Sequence, residues 1–191
     1  ARRMVGMPGD LTARLAALRD ALRTRSLLPP AVIDALVDRL ALTMRGLDLR
    51  TARPNAVLLL LGPAAAQAAL VSEIMAEHLF GAPERVVALE LGHLHGTADL
   101  THLLGAPPGY VGHGRRVPLH ALQQTPWCVL RCDDVHACHH TVREVLAQGL
   151  RQGHITLADG KRAYLSDAVV LLTADVDALA DAPIGFGPHE S

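Results

Sequence analysis

The chain has 191 residues and a formal net charge of −1, a balance that excludes a broad electrostatic field for nucleic acid or an acidic membrane. This length makes one domain of ordinary size, or one domain with a short helical arm, and buries roughly 70% of the surface its unfolded form exposes. Among the 18 basic residues only Lys161 is a lysine, so any mechanism that needs a lysine elsewhere in the chain is excluded.

Two helical stretches come first. Asp10 caps a segment in which Leu11, Leu15, Leu18 and Leu22 recur at spacings of three and four, the period of one helix face. Pro29-Pro30 separates it from a second amphipathic run, Val32, Ile33, Leu36, Leu40 and Met44, so an αα unit ending near Gly46 is expected. Ala1 in place of Met fits a fragment or a processed product, and no segment has the form of a signal peptide.

Beyond Pro54 the rhythm changes. Ala56–Leu61 is a continuous apolar run, too short to span a bilayer, stopped by Gly62-Pro63. An alanine-rich helix from about Ala65 to Phe80 follows, then a strand at Val86–Leu89. Further strands are expected at Cys128–Cys132 and Ala168–Leu172, with a helix from about His139 to Leu150 between them. Short apolar strands without alternation, separated by helices, indicate an α/β fold with a parallel sheet buried on both faces. Gly153–Leu157 and Arg162–Leu165 around Asp159-Gly160 read as an inserted β-hairpin. Cys128, Cys132 and Cys138 are three thiols in one short segment, an odd number that argues against a disulfide framework and for a reducing, cytoplasmic compartment.

The most specific string is Gly105-Ala106-Pro107-Pro108-Gly109-Tyr110-Val111-Gly112. Its prolines and glycines make a rigid protruding loop with Tyr110 at the tip; the plain alternative is a tight turn whose tyrosine folds back on the core. The string resembles the Gly-Tyr-Val-Gly pore loop in the second ATPase module of the Clp family of AAA+ protein unfoldases, the ClpA, ClpB and ClpC type. The resemblance runs along nearly the whole chain. Val5-Gly6-Met7-Pro8 resembles the Thr-Gly-Ile-Pro that begins this module, and Arg45-Gly46-Leu47 and Arg53-Pro54 resemble its approach to the first strand. Leu61-Gly62-Pro63 resembles the opening of the phosphate loop, and Leu79-Phe80 the close of the helix that follows it. Asp133 stands where the Walker B aspartate belongs, His139 matches the end of the Asp-Glu-Ile-Glu-Lys-Ala-His stretch, and the Asp159-Gly160 hairpin resembles the second pore loop. The resemblance implies an AAA+ P-loop scaffold, a ring of Clp-like subunits and contact with unfolded polypeptide through Gly109, Tyr110, Val111 and Gly112.

Departures from the family pattern fall on the nucleotide positions. A phosphate loop needs glycines for close backbone approach, a lysine for the phosphate charge and a hydroxyl for Mg²⁺. Here Ala68 stands at the lysine position and Ala69 at the hydroxyl position, while Ala65 and Gln67 replace loop glycines after Gly62 and Pro63. Leu28-Pro29 replaces the Gly-Gln near the adenine pocket, the Walker B pair is Asp133-Asp134, and the sensor asparagine becomes Asp175. An aspartate at position 134 is one methylene short for placing an attacking water. The family pattern continues past Ser191 with an arginine finger, a helical lid and a sensor-two arginine. The expectation is therefore a helical arm and approach over 1–54, then a degenerate AAA+ large subdomain over 55–191 without a C-terminal lid.

No cofactor is expected, the alternative being ATP with Mg²⁺ in a divergent ATPase completed by a neighbour. The leading expectation is a catalytically inactive Clp-like module with a structural or regulatory role. Ile184-Gly185-Phe186 resembles the loop by which some Clp unfoldases dock on a ClpP-type peptidase; a glycine turn with two buried apolar residues is the bland reading. Cys128, Cys132, Asp133, Asp134, His136, Cys138, His139 and His140 form a crowded set of zinc-ligand types, yet no Cys-x-x-Cys is present and two of the thiols sit on an apolar strand. A small metal-binding or docking domain is thus the third reading, with no metal expected. Arg131 interrupts the strand before Asp133 without an evident partner.

Overall fold

A computed structural model describes residues 10–44 and 53–177. Val5–Pro8, Arg45–Leu47 and Ile184–Phe186 lie outside the described residues.

The αα unit forms where its periodicity places it. Helix α1 spans Leu11–Arg25, with Asp10 Oδ1 accepting from the Thr12 amide, and buries Leu15, Leu18 and Leu22. Helix α2 spans Pro30–Met44 and buries Ile33, Leu36, Val37 and Leu40; Pro30 takes the first turn, where a missing N–H costs no helical bond. Arg19 and Arg23 reach Asp34, and Arg19 reaches Asp38 at 2.7 Å. These exposed pairs fix register more than they stabilise.

Strand β1, Ala56–Leu61, leads into a 3₁₀ turn at Gly62–Gln67 and helix α3 at Ala68–Phe80. The α-helix therefore starts three residues later than the alanine run suggests, because Gly62 adopts φ +55° and Pro63 winds the segment tightly. Strand β2 is Val86–Glu90, followed by short helices α4, Leu100–Leu104, and α5, Ala121–Gln124. Strand β3 is Val129–Asp133, helix α6 His140–Gln152, and β4, His154–Thr156, pairs antiparallel with β5, Arg162–Tyr164. Strand β6, Val169–Ala174, completes a four-stranded parallel sheet in the order β1-β6-β3-β2.

Successive residues of the inner strands point to opposite faces, and each face has its own core. Val129, Val169 and Leu171 join the cluster built with α1, α2 and α3, whereas Leu130, Val170 and Cys132 join one containing Leu103, Leu122, Val142 and Ile155. Burial on both faces holds for β3 and β6 but not for β1, where Val57 and Leu59 are 43% and 45% exposed. The reason is position: among the described residues β1 is a sheet edge, and the core on that face, which holds residues of α4, α5 and α6, includes none of β1.

The hairpin is locked beneath α6. A Cβ on Gly149 would collide with Ile155 Cγ1, so only glycine admits this approach.

Candidate functional site

The carboxyl ends of β1, β2, β3 and β6 come together around an open cleft of about 490 Å³, the place where open parallel sheets commonly carry ligands. Ala65 and Ala66 line one side and Glu90, Gly92 and His93 another, with Asp133, Asp134 and Thr173 completing it. The sequence places Asp133, Asp134 and the 62–69 segment here; Glu90 and Gly92 escape sequence reasoning, and His93, which reads from the sequence as a solvated loop residue on the approach to the 105–112 loop, lines the cleft instead. The signal for them was their position at the carboxyl end of the second strand and just beyond it.

Asp133 and the backbone of Asp134 are tied to partners within the protein. Asp133 Oδ2 accepts from Arg131 Nε at 2.8 Å, and Arg131 Nη1 donates to Ser72 Oγ at 3.4 Å. Ser72 in turn donates to the Ala69 carbonyl at 2.7 Å. Arg131 thus has its partner: it points to the α3 face of the sheet and neutralises Asp133 from behind. Asp134 sits in the left-handed region at φ +55°, its amide donating to Thr173 Oγ1 at 2.9 Å. Its side chain lies so close to Gly92 that a Cβ there would meet Asp134 Cβ at 3.0 Å. Asp175 is exposed and outside the cleft lining; its amide donates to His136 Nδ1 at 3.3 Å.

The 62–69 segment is closed on itself. Interior amides of a 3₁₀ turn bond carbonyls three residues back, and the last of these runs from the Ala68 amide to the Ala65 carbonyl. Ala68 is only 3% exposed and belongs to the core under α1 and α2. Gln67 Oε1 accepts from the Leu27 amide at 3.3 Å, tying the α1–α2 connection across this segment, while Leu28 is buried.

A second feature is the loop between α4 and α5. Gly105, Gly109, Gly112 and Gly114 all have φ near +90°, conformations that favour glycine. Turns close through the Tyr110 amide to the Pro107 carbonyl at 3.2 Å and the His113 amide to the Tyr110 carbonyl at 3.1 Å. Tyr110 is 71% exposed and Val111 fully so. This decides between the two readings of the loop: the tyrosine stands out from the surface and does not fold back on the core. The hairpin tip lies beside the loop base, with the Ala158 amide donating to the Leu104 carbonyl at 2.8 Å and His120 Nε2 3.6 Å from Asp159 Oδ2. The Lys161 amide donates to Asp159 and holds its carboxyl below the usual range.

The crowded segment 128–140 is dispersed. Cys128 and Cys132 are buried behind the sheet, Cys138 donates to the Val135 carbonyl, and His139 caps α6 by accepting from the Thr141 amide. No group of three His, Cys, Asp or Glu among the described residues is placed to hold a metal ion. Burial raises all three thiols, Cys128 to about 12, which disfavours the thiolates a zinc site requires. None of the described helices is long and apolar enough to cross a membrane.

Residues 53–182 match the family model described as AAA domain (Cdc48 subfamily). A probable ATP-dependent Clp protease ATP-binding subunit from Chlamydia pneumoniae is 27% identical over 139 residues, covering 71% of this chain and 16% of its own length. The chloroplastic chaperone protein ClpD of Arabidopsis thaliana is 29% identical over 140 residues, 73% of this chain and 14% of the relative. The chaperone protein ClpB 1 of Parasynechococcus marenigrum is 27% identical over 178 residues, 93% of this chain and 20% of the relative. The chain spans a fifth or less of the length of these relatives.

Proposed function

The chain belongs to the Clp-type AAA+ family, and we propose that within it this is a module that retains scaffold and pore loop without ATP binding or hydrolysis. The observation that carries this reading is the chemistry of the cleft. Its described lining includes Glu90, Asp133 and Asp134 and no lysine or arginine. Arg131, the cation behind it, is committed to Asp133. A nucleoside triphosphate does not fit such a set: its phosphates would face carboxylates, and the amides that could cradle them are turned into the 3₁₀ ladder. Ala68 and Ala69 offer neither the cation nor the hydroxyl that phosphate and Mg²⁺ need.

The retained work is structural or regulatory. The module occupies a place among Clp-like subunits and touches unfolded polypeptide through Tyr110, with Ile184-Gly185-Phe186 as a docking element for a ClpP-type peptidase. The second reading, a divergent ATPase completed by a neighbour's cation, draws on the ATP-dependent relative from Chlamydia pneumoniae.

Thermal denaturation separates the two. A ligand at about a hundred times its Kd raises Tm by roughly 5–10 °C in a domain of this size. The expected result is no shift with millimolar ATP or ADP and Mg²⁺; a shift of that order removes the inactive-module reading and favours the divergent ATPase.

A further inference from the structure

No acidic residue occurs between Asp99 and Asp133, and the loop within that stretch carries Arg115 and Arg116, with His102, His113 and His120 around it. Among the described residues neither arginine has a side-chain hydrogen bond or an ion pair; Arg115 is fixed only by its backbone amide, which donates to the Gly112 carbonyl at 3.0 Å. Two clefts of about 310 and 240 Å³ flank the loop base, and both are lined by Gly105, Ala106, Arg115 and Arg116. Lys161 and Asp159 both line the larger cleft, 3.5 Å apart, so they offset each other and the uncompensated charge rests on the two arginines. His113 Nδ1 is 3.1 Å from the Ala106 carbonyl and holds the loop folded over its base, keeping Tyr110 and the arginines on one protrusion.

We propose that Arg115 and Arg116 make this protrusion selective for acidic polypeptide segments, with Tyr110 gripping the extended chain and the arginines pairing side-chain carboxylates in the two flanking clefts. The proposal rests on the polypeptide-contact reading above and adds a substrate class to it. Planar guanidinium groups match carboxylates with two parallel bonds, and small clefts suit single carboxylate side chains. Polypeptide is favoured over nucleic acid because the chain as a whole is not basic and the loop presents one aromatic ring, where strands of bases require tracks of both.

The test uses the full 191-residue chain and fluorescence anisotropy with unstructured Gly/Ser peptides of equal length carrying Glu or Gln. At about 50 mM salt the Glu peptide is expected to bind roughly tenfold more tightly than the Gln peptide, the gap closing as screening shortens the range of the charges. The Arg115→Gln/Arg116→Gln variant should bring the Glu peptide down to the Gln peptide's affinity, and Arg115→Lys/Arg116→Lys, which keeps the charge without the paired bonds, should keep part of the gap, separating charge from loop damage. Equal binding of both peptides overturns the acidic preference and leaves the polypeptide contact standing. Binding of neither peptide overturns both. Tighter binding of a single-stranded oligonucleotide than of the Glu peptide overturns the proposal in favour of nucleic acid.

Discussion

The cleft at the strand ends gathers Glu90, Asp133 and Asp134, while the loop around Tyr110 carries two unpaired arginines and no acid. Both stand where the resemblance to one family puts its motifs, yet their polar side chains are used in opposite ways. Around the cleft several polar groups have found partners within the protein: Arg131 with Asp133, the Asp134 amide with Thr173, and Gln67 of the adjoining segment with Leu27. On the loop the partners are backbone turns, which leave the side chains of Tyr110, Val111, Arg115 and Arg116 exposed. A polar group satisfied internally contributes to the fold, and a side chain presented in solvent without a partner is available for another molecule.

The largest expected effect comes from trying to reverse the cleft's history. Ala68→Lys places a cation at a position 3% exposed inside the core, and should destabilise the protein by about 2–4 kcal/mol through overpacking and charge burial. A urea melt checks the loss, and repeating it with ATP and Mg²⁺ should show no recovery. A lysine variant as stable as the parent, and further stabilised by nucleotide, would mean that the cleft is still a phosphate site lacking one residue.

A smaller effect tests the strand that backs the cleft. Burial raises the Cys128 thiol to about 12 and pushes Cys132 up as well, so above the ordinary thiol pKa the unfolded chain releases protons that the folded one retains. Stability is fully present below about pH 8.5 and falls as pH rises towards the folded value, by about 1.4 kcal/mol per pH unit for each such thiol. One lysine and two exposed tyrosines leave this alkaline range little obscured by other groups. Urea midpoints at pH 8 and 10 measure the fall, and Cys132→Ala should reduce its slope; an unchanged slope would show that these thiols do not control it.

The smallest change in stability is expected on the loop. Tyr110→Ala removes a ring that is mostly in solvent and should alter the urea-derived stability by less than about 0.5 kcal/mol. Binding of unfolded polypeptide should nevertheless weaken clearly by anisotropy. A large stability loss would place the ring in the fold's own packing and erase the contrast between the two regions.

Much of the scaffold was legible in the residues. The spacing of Leu15, Leu18 and Leu22, the Asp10 cap, the apolar runs at 56–61 and 168–172 and the turn at Asp159-Gly160 each act over a few residues, and each forms its element within two residues of where the pattern places it. The start of α3 was less legible, because Gly62 and Pro63 divert a helix-forming alanine run into a 3₁₀ turn. Half of the cleft was visible as motif positions; Glu90, Gly92 and His93 were not, since they enter it only by the pairing of β2 with β3.

The sequence by itself determined that only one lysine exists and that it lies in the hairpin, that no residue of positions 62–69 is charged, and that the 100–132 stretch lacks acids. These are matters of composition and order, which no folding can alter. Only the tertiary structure decided that Arg131 turns towards Asp133, that Ala68 is buried, and that Tyr110 stands in solvent beside two unpaired arginines. Those outcomes depend on which strands become neighbours and which faces the helices cover, and contacts between residues distant in the chain settle both.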